Sequence, residues 1–310
     1  MILALTGATG FLGRKVVAGA LARGWTVRAL VRPGEELPPG DPVTVLSGSL
    51  ADEHLSPRLL GGADVFVHLA ALGVQSRDRD WVHATDVNVA CTLRWLQLAH
   101  EAGLRRAVIT GTCLEYTGVG ALPGAPWPAT VAAPRCAEDA PIECAEPYGA
   151  TKAAGGVIAR AWARASSLEL WYLRLASLYG QGDDPAKLLP SCARALASGA
   201  RVALSPGAQV REWLHVDDAA RAVLDAAERS PGGPRVVNVG TGEGLSLRQV
   251  TERLATLGGC DPGLLDFGAL GYRLHEPHHL VMDVGLAAEL LGWSARVNLD
   301  EGLQPILRTV

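Results

Sequence analysis

The chain has 310 residues, with 28 Lys+Arg against 32 Asp+Glu and a net charge of −4. That balance argues against a nucleic-acid partner or an anionic membrane surface, and no apolar run reaches the length of a membrane span. The start lacks the charged n-region and h-region of a signal peptide, and the six cysteines form no CxxC pair, so reduced thiols in a cytoplasmic protein are expected.

Residues 2–5 are an apolar run that breaks at Thr6 into a loop holding Gly7, Gly10 and Gly13, and a helical pattern follows over 11–22. Strand, glycine loop and helix N-terminus together suit a dinucleotide pyrophosphate. Gly7 permits the turn, Gly10 lets the backbone approach the phosphates, and Gly13 lets the helix pack on the strand. The spacing is G-x-x-G-x-x-G, not G-x-G-x-x-G. Further strands are expected at 26–32, 43–46, 64–69 and 106–110, with a helix over 85–102 that carries Val89, Leu93, Leu96 and Ala99 on one side. This alternation predicts an α/β fold, a doubly wound parallel sheet covered on both faces, with ligands at the strands' carboxyl ends.

Residues 118–147 are rich in Pro, Gly and Ala and read as a flap over the site. A helix over 148–165 and a strand over 168–175 follow, and then the elements shorten: helices at 185–197, 217–228 and 246–257, strands at 202–204 and 236–239. The expected division is a Rossmann domain over 1–175, with a strand near 235–240 returning to its sheet, and a smaller, mainly substrate-binding α/β lobe over 176–310.

Tyr148 and Lys152 stand at i and i+4, on one helix face. A nearby ammonium lowers a tyrosine pKa. Tyr148 would then exchange a proton with a carbonyl or hydroxyl oxygen while hydride moves at the adjacent carbon. Thr110 and Thr112 add hydroxyls at the end of the strand that begins at 106.

Glycine loop, strand-end hydroxyl and YxxxK in this order, with TGATGFLG (6–13), ADVFVHLAA (63–71), DVNVACT (86–92), PYGATK (147–152), LRLASLYG (173–180), REWLHVDDAARAV (211–223) and VVNVGTGEG (236–244), carry a resemblance over nearly the whole chain. The chain resembles the extended short-chain dehydrogenase/reductases of the NAD(P)-dependent sugar-nucleotide epimerase/dehydratase group. Its GTCLEY segment looks most like the 4-ketoreductases that act on nucleotide-diphosphate 4-keto-6-deoxysugars.

The resemblance implies a catalytic set of Thr112, Tyr148 and Lys152, with Lys152 also holding the nicotinamide ribose and Asn88 bracing the central helix. It places the dinucleotide along Gly7, Thr9, Gly10, Phe11, Leu12 and Gly13, near Leu69, Ala70, Ala71 and Thr110, with Ser49 and Leu50 toward adenine. Arg211 and Arg273 match the arginines that grip a diphosphate, a task suited to planar guanidinium forks. Cys113 and Ser177 join the substrate contacts. Family members pair the Asn88 and Tyr148 helices between subunits, so a homodimer is expected through Leu93, Leu96, Val157 and Trp162. The family chemistry needs no metal, so none is expected at His275, Glu276, His278 and His279 despite their zinc-like spacing. Trp81, Trp127 and Trp162 are expected to pack.

Two departures choose among reactions. NAD-preferring relatives end the second strand with an acid, whereas this chain has Val31 and Arg32, which favours the 2′-phosphate of NADP(H). Ser49 likewise replaces an aspartate. Family 4,6-dehydratases follow the catalytic hydroxyl residue with Asp-Glu, whereas Cys113 and Leu114 stand here, with Glu115 one place too late and expected to point elsewhere. The expectation is NADPH-dependent reduction of the C4 keto group of a nucleotide-diphosphate 4-keto-6-deoxyhexose. The first alternative is a nucleotide-sugar 4-epimerase. A non-enzymatic NADP sensor is a third class, disfavoured by the intact Thr–Tyr–Lys set.

Overall fold

A computed structural model describes residues 1–37, 42–74, 80–117, 134–144, 146–273 and 276–308. The first half alternates β1 (Ile2–Thr6), α1 (Phe11–Ala22), β2 (Thr26–Val31), β3 (Val43–Ser47), α2 (Ser56–Leu60), β4 (Val65–His68), α3 (Trp81–Thr85), α4 (Thr92–Glu101), β5 (Arg106–Thr112), α5 (Pro147–Ser166) and β6 (Glu169–Leu175). The second half runs β7 (Ser177–Tyr179), α6 (Leu188–Ala197), β8 (Val202–Leu204), β9 (Val210–His215), α7 (Val216–Glu228), β10 (Arg235–Val239) and β11 (Gly244–Ser246). It ends with α8 (Leu247–Leu257), β12 (Leu265–Phe267), β13 (His279–Leu280), α9 (Gly285–Leu291) and α10 (Leu299–Leu307).

Seven strands lie in the order β10-β6-β5-β4-β1-β2-β3, and every neighbouring pair is parallel. Strand order reverses between β1 and β4, which opens a crevice outside their carboxyl ends, the place where such sheets take ligands. Val16, Val27, Val67, Leu173 and Leu224 belong to one buried layer, and Phe66, Trp95, Leu96, Ile109 and Tyr172 to the other. Burial on both faces explains why the central strands read as continuous apolar runs. The Rossmann-like α/β architecture expected from the alternation is the one present.

The central helical run begins at Trp81, earlier than the apolar stripe suggested, because Asp80 caps it by accepting the His83 N–H at 2.7 Å. A π-helical turn, Asp86–Cys91, joins α3 to α4. Leu96 is fully buried against the sheet, so it cannot lie on a subunit face. The stripe on α4 points inward, and the exposed apolar residues sit on α3 and α5: Trp81 (52%), Val82 (72%), Val157 (51%) and Ile158 (38%). Trp81 therefore does not pack as expected. Trp162 is partly buried against the second apolar layer, and Trp127 lies outside the described residues.

β10 pairs in parallel with β6 and so lies at the edge of the seven-stranded sheet. Val223 and Leu224 of α7 share the layer that holds Val16 and Val17 of α1, so residues 216–239 sit with the sheet. A third core, including Leu189, Leu196, Val250, Leu254, Leu303 and Ile306, unites α6, α8 and α10. Of the expected flap, residues 118–133 and 145 lie outside the described residues. Residues 134–144 are stitched to the body: Cys136 N donates to Val281 O at 2.8 Å, Asp283 N donates to Cys136 O at 2.9 Å, and Tyr116 bridges Ile142. Among the described residues no helix is long and apolar enough to cross a membrane.

Candidate active site

The glycine loop is a cradle that side chains would fill. Gly7 has φ +76°, and a Cβ there would lie 2.6 Å from Ala70 N and 2.8 Å from Leu69 C. A Cβ on Gly13 would lie 2.0 Å from Gly7 O. The loop thus rests directly on the Leu69–Ala70 backbone beyond β4. Gly10 is the N-cap of α1 and offers no side-chain acceptor, so the first N–H groups behind Phe11 and Leu12 stay free for an anion. These features fit a dinucleotide pyrophosphate.

At the end of β2, Arg32 is 75% exposed and pairs with Glu35, which also accepts a hydrogen bond from Thr9. Burial pushes the Glu35 carboxyl up, but the Thr9 and Arg32 hydrogen bonds outweigh it and hold it low. The sequence reading missed this carboxylate because it arrives from the turn, not from the strand. At the next corner the Asp52 carboxylate accepts from Ser49 N at 2.7 Å and Ser49 Oγ at 2.9 Å. Leu50 O accepts from Trp95 Nε1 at 2.8 Å.

Asn88, on the π turn, is 1% exposed. Its Oδ1 accepts from Leu72 N at 2.8 Å, and its Nδ2 donates to Leu72 O and to Thr151 Oγ1, each at 2.9 Å. It thereby clamps the loop beyond β4 to the first turn of α5. A Cβ on Gly155 would lie 2.3 Å from Asn88 O, so α5 approaches here on glycine.

Thr112 at the end of β5 and Tyr148 in the first turn of α5 are hydrogen-bonded to each other. Lys152 follows one turn later, 3% exposed. Burial pushes the Lys152 ammonium down to about 8, with the Glu115 carboxylate opposing. Tyr148 departs from expectation: burial pushes its hydroxyl up, and Glu115 and Cys113 add to that, against the Thr112 hydrogen bond. A lowered tyrosine pKa was read from helix spacing alone, whereas dehydration of the phenol and an unforeseen carboxylate govern this site. Thr110, one turn of the pleat earlier, is 7% exposed.

His68 is a further buried group that the sequence reading passed over. Its Nδ1 is bonded to Thr6 Oγ1 at 2.8 Å and its Nε2 to Thr92 Oγ1 at 3.1 Å. Burial and the nearby Lys152 charge push it down to about 3, so it is a neutral strut.

Cys113 is buried, 4% exposed. Burial pushes its thiol up to about 12, and it is hydrogen-bonded to Ser177 and Thr112, with the Arg211 charge nearby. Leu114 points outward, 39% exposed. Glu115, expected to point elsewhere, instead turns inward and is completely buried, its charge acting on Tyr148 and Lys152.

Arg211 is 7% exposed, and its guanidinium pairs with Glu276 at 3.1 Å while donating to Val210 O at 2.8 Å. Arg273 is exposed, and its backbone N donates to Glu276 at 3.4 Å. The structure therefore brings Arg211, Cys113 and Ser177 together, while Arg273 reaches this group through Glu276 rather than by its own side chain. Among the described residues no group of three or more His, Cys, Asp or Glu could hold a metal ion, and His275 lies outside them.

A model of the NAD dependent epimerase/dehydratase family matches residues 3–240. A dTDP-glucose 4,6-dehydratase of Streptomyces griseus is 30% identical over 317 residues, 97% of this chain and 91% of the relative. A UDP-glucose 4-epimerase of Mycolicibacterium smegmatis is 30% identical over 316 residues, 96% of this chain and 95% of the relative. Among solved structures, MoeE5 in complex with UDP-glucuronic acid and NAD aligns with a TM-score of 0.86 at 30% identity, covering 99% of this chain and 97% of that one. The dTDP-glucose 4,6-dehydratase DesIV of Streptomyces venezuelae, with NAD bound, aligns with a TM-score of 0.85 at 28% identity, covering 99% and 96%.

Proposed function

Because this chain belongs to the NAD dependent epimerase/dehydratase family, we propose that it works on a nucleotide-diphosphate hexose as a 4-ketoreductase, reducing the C4 keto group of a 4-keto-6-deoxy sugar. A bound nicotinamide supplies the hydride. Gly7, Gly10, Gly13 and the α1 N-terminus take its pyrophosphate, and Lys152 takes the nicotinamide ribose. Tyr148 donates the proton to the C4 oxygen, and Thr112 hydrogen-bonds the same oxygen. Arg211 and Arg273 receive the diphosphate, with Glu276 giving way to it, and Ser177 and Cys113 lie toward the sugar.

One observation carries the choice of reaction. The hydroxyl–phenol–ammonium set is assembled, but the two positions after Thr112 hold a thiol pushed up to about 12 and an outward-facing leucine. Neither exchanges protons at C5 or C6 near neutral pH, so loss of water from the sugar has no acid–base pair here. Epimerisation at C4 needs only the set that is present, and the Mycolicibacterium relative supports it as the second reading.

Arg32, exposed at the end of β2, supports NADP(H) over NAD(H), with the 2′-phosphate replacing Glu35 as its partner. The apolar surface of Trp81, Val82, Val157 and Ile158 supports a homodimer through α3 and α5. The deciding experiment mixes the protein with NADPH and a nucleotide-diphosphate 4-keto-6-deoxyhexose. The ketoreductase consumes one NADPH per sugar. Interconversion of two sugar nucleotides with no net change in the cofactor replaces this reading with the epimerase.

A further inference from the structure

Beneath the Thr112–Tyr148–Lys152 set lies a carboxylate that the proposed chemistry does not use. Glu115 Oε1 accepts from Thr112 N at 2.8 Å and from the Tyr172 hydroxyl at 2.8 Å. The same Tyr172 hydroxyl lies 2.7 Å from the backbone carbonyl of Lys152. Glu115 Oε2 accepts from Arg174 Nε at 2.7 Å, in an ion pair whose members are 0% and 1% exposed. Arg174 also donates to Tyr116 Oη at 2.8 Å and to Glu138 O at 2.9 Å. Tyr116 in turn donates to Asn238 Oδ1 at 2.7 Å.

The backbone is shaped to admit this network. A Cβ on Gly111 would lie 2.3 Å from Glu115 Oε1, and one on Gly156 would lie 2.6 Å from the Tyr172 hydroxyl. A buried ion pair gains little over apolar residues of the same volume, because dehydrating both charges consumes most of their attraction. Stability alone therefore does not account for a charge sealed at this spot. The carboxylate accepts from the strand end that holds Thr112 and competes with the carbonyl on the Lys152 helix turn for the one proton of the Tyr172 hydroxyl, so both elements meet at this group.

We propose that Glu115 is a positioning residue for the active site: its carboxylate holds the Thr112 backbone directly, shares the Tyr172 hydroxyl with the Lys152 carbonyl, and faces the buried Lys152 ammonium with its negative charge. The proposal rests on the assignment of Thr112 and Lys152 as catalytic, but its electrostatic half stands on the folded protein alone.

The charged and titratable groups around Lys152 are few. His68 from β4 is neutral, Tyr148 on α5 is a protonated phenol, and Glu115 is the facing anion. Around Glu115 itself stand Arg174 and Tyr172 from β6, Arg160 from α5 and the Cys144 thiol. Arg174 binds the carboxylate oxygen that does not face Tyr172, on the side away from the Lys152 carbonyl.

The chain contains three lysines, Lys15, Lys152 and Lys187, so protein labelled with 13C-lysine gives a short set of side-chain signals, and Lys152→Met identifies the buried one. The test uses Glu115→Gln, Glu115→Gln with Arg174→Gln, and Tyr172→Phe. Glu115→Gln alone leaves Arg174 buried without its anion, and the double variant keeps the measurement available if that chain fails to fold. In the double variant the Lys152 titration midpoint should fall below that of the unaltered protein, with no substrate or cofactor present.

Tyr172→Phe keeps the ion pair and removes the hydroxyl that lies between Glu115 Oε1 and the Lys152 carbonyl. It should leave the Lys152 midpoint in place and lower kcat about 10- to 100-fold with KM for the nucleotide sugar little changed. A Lys152 midpoint that stays put in the double variant overturns the electrostatic role. An unchanged kcat in Tyr172→Phe overturns the positioning role. If the protein turns over no nucleotide sugar at all, the functional reading has failed, and the lysine titration still decides the electrostatic role of Glu115.

Discussion

Replacing Lys152 by Met removes a buried ammonium, and the consequence for stability has a definite sign. Burial pushes this group from 10.5 down to about 8 in the folded protein. Holding it charged inside the fold therefore costs roughly 3 kcal/mol at neutral pH. Below about 8 both folded and unfolded chains carry the proton, and the penalty is present in full. Between about 8 and 10.5 the unfolded chain binds more protons than the folded one, so the stability of the unaltered protein rises with pH. Above 10.5 neither chain is charged there and the penalty is gone.

Methionine keeps an unbranched apolar stem without the charge. The variant should exceed the unaltered protein by about 1–3 kcal/mol at neutral pH, after lost contacts are subtracted, and the excess should vanish by the alkaline end of the window. From neutral pH upward the other titrating groups are common to the two chains and cancel in the difference, His68, which the Lys152 charge pushes down, being neutral there in both. Urea unfolding of both proteins at several pH values measures it. A difference that does not change with pH, or a variant that is less stable at neutral pH, refutes the picture of Lys152 as a dehydrated ammonium.

The other expectations concern turnover, ligands and assembly. Tyr148→Phe removes the proton donor, and Thr112→Val its hydrogen-bond partner; each should lower kcat about 10²- to 10⁴-fold, with NADPH affinity by fluorescence titration nearly unchanged. Because Arg32 lies free of the core at the end of β2, Arg32→Asp should reverse an NADPH-over-NADH preference in the same titration; an NADH preference in the unaltered protein contradicts the cofactor assignment. Glu276→Gln releases Arg211 from its internal anion and should tighten nucleoside diphosphate binding about tenfold by calorimetry. Val157→Glu places a charge on the exposed face of α5 and should give a monomer by light scattering where the unaltered chain gives a dimer.

The parallel sheet and the crevice at its strand ends were legible in the order of residues. Its central strands are apolar throughout because both faces are covered, and the glycines of the first loop are legible because no other residue fits between Gly7 O, Ala8 and the Leu69–Ala70 backbone. Those are local requirements, written where they act. The Tyr148–Lys152 spacing put both groups one turn apart on α5 for the same reason, since one helical turn sets their relation. Their proton affinities were another matter. Dehydration depends on what closes over a group from elsewhere in the chain, and the anion facing them, Glu115, belongs to a turn whose side chain could have pointed either way. Only the fold brought it against Tyr172 and Arg174, residues more than fifty positions away. Glu35 on Thr9 and Glu276 on Arg211 are decided in the same manner. Charge pairing over long stretches of chain has no period to read, because it is fixed by which strands become neighbours and by the exclusion of water between them.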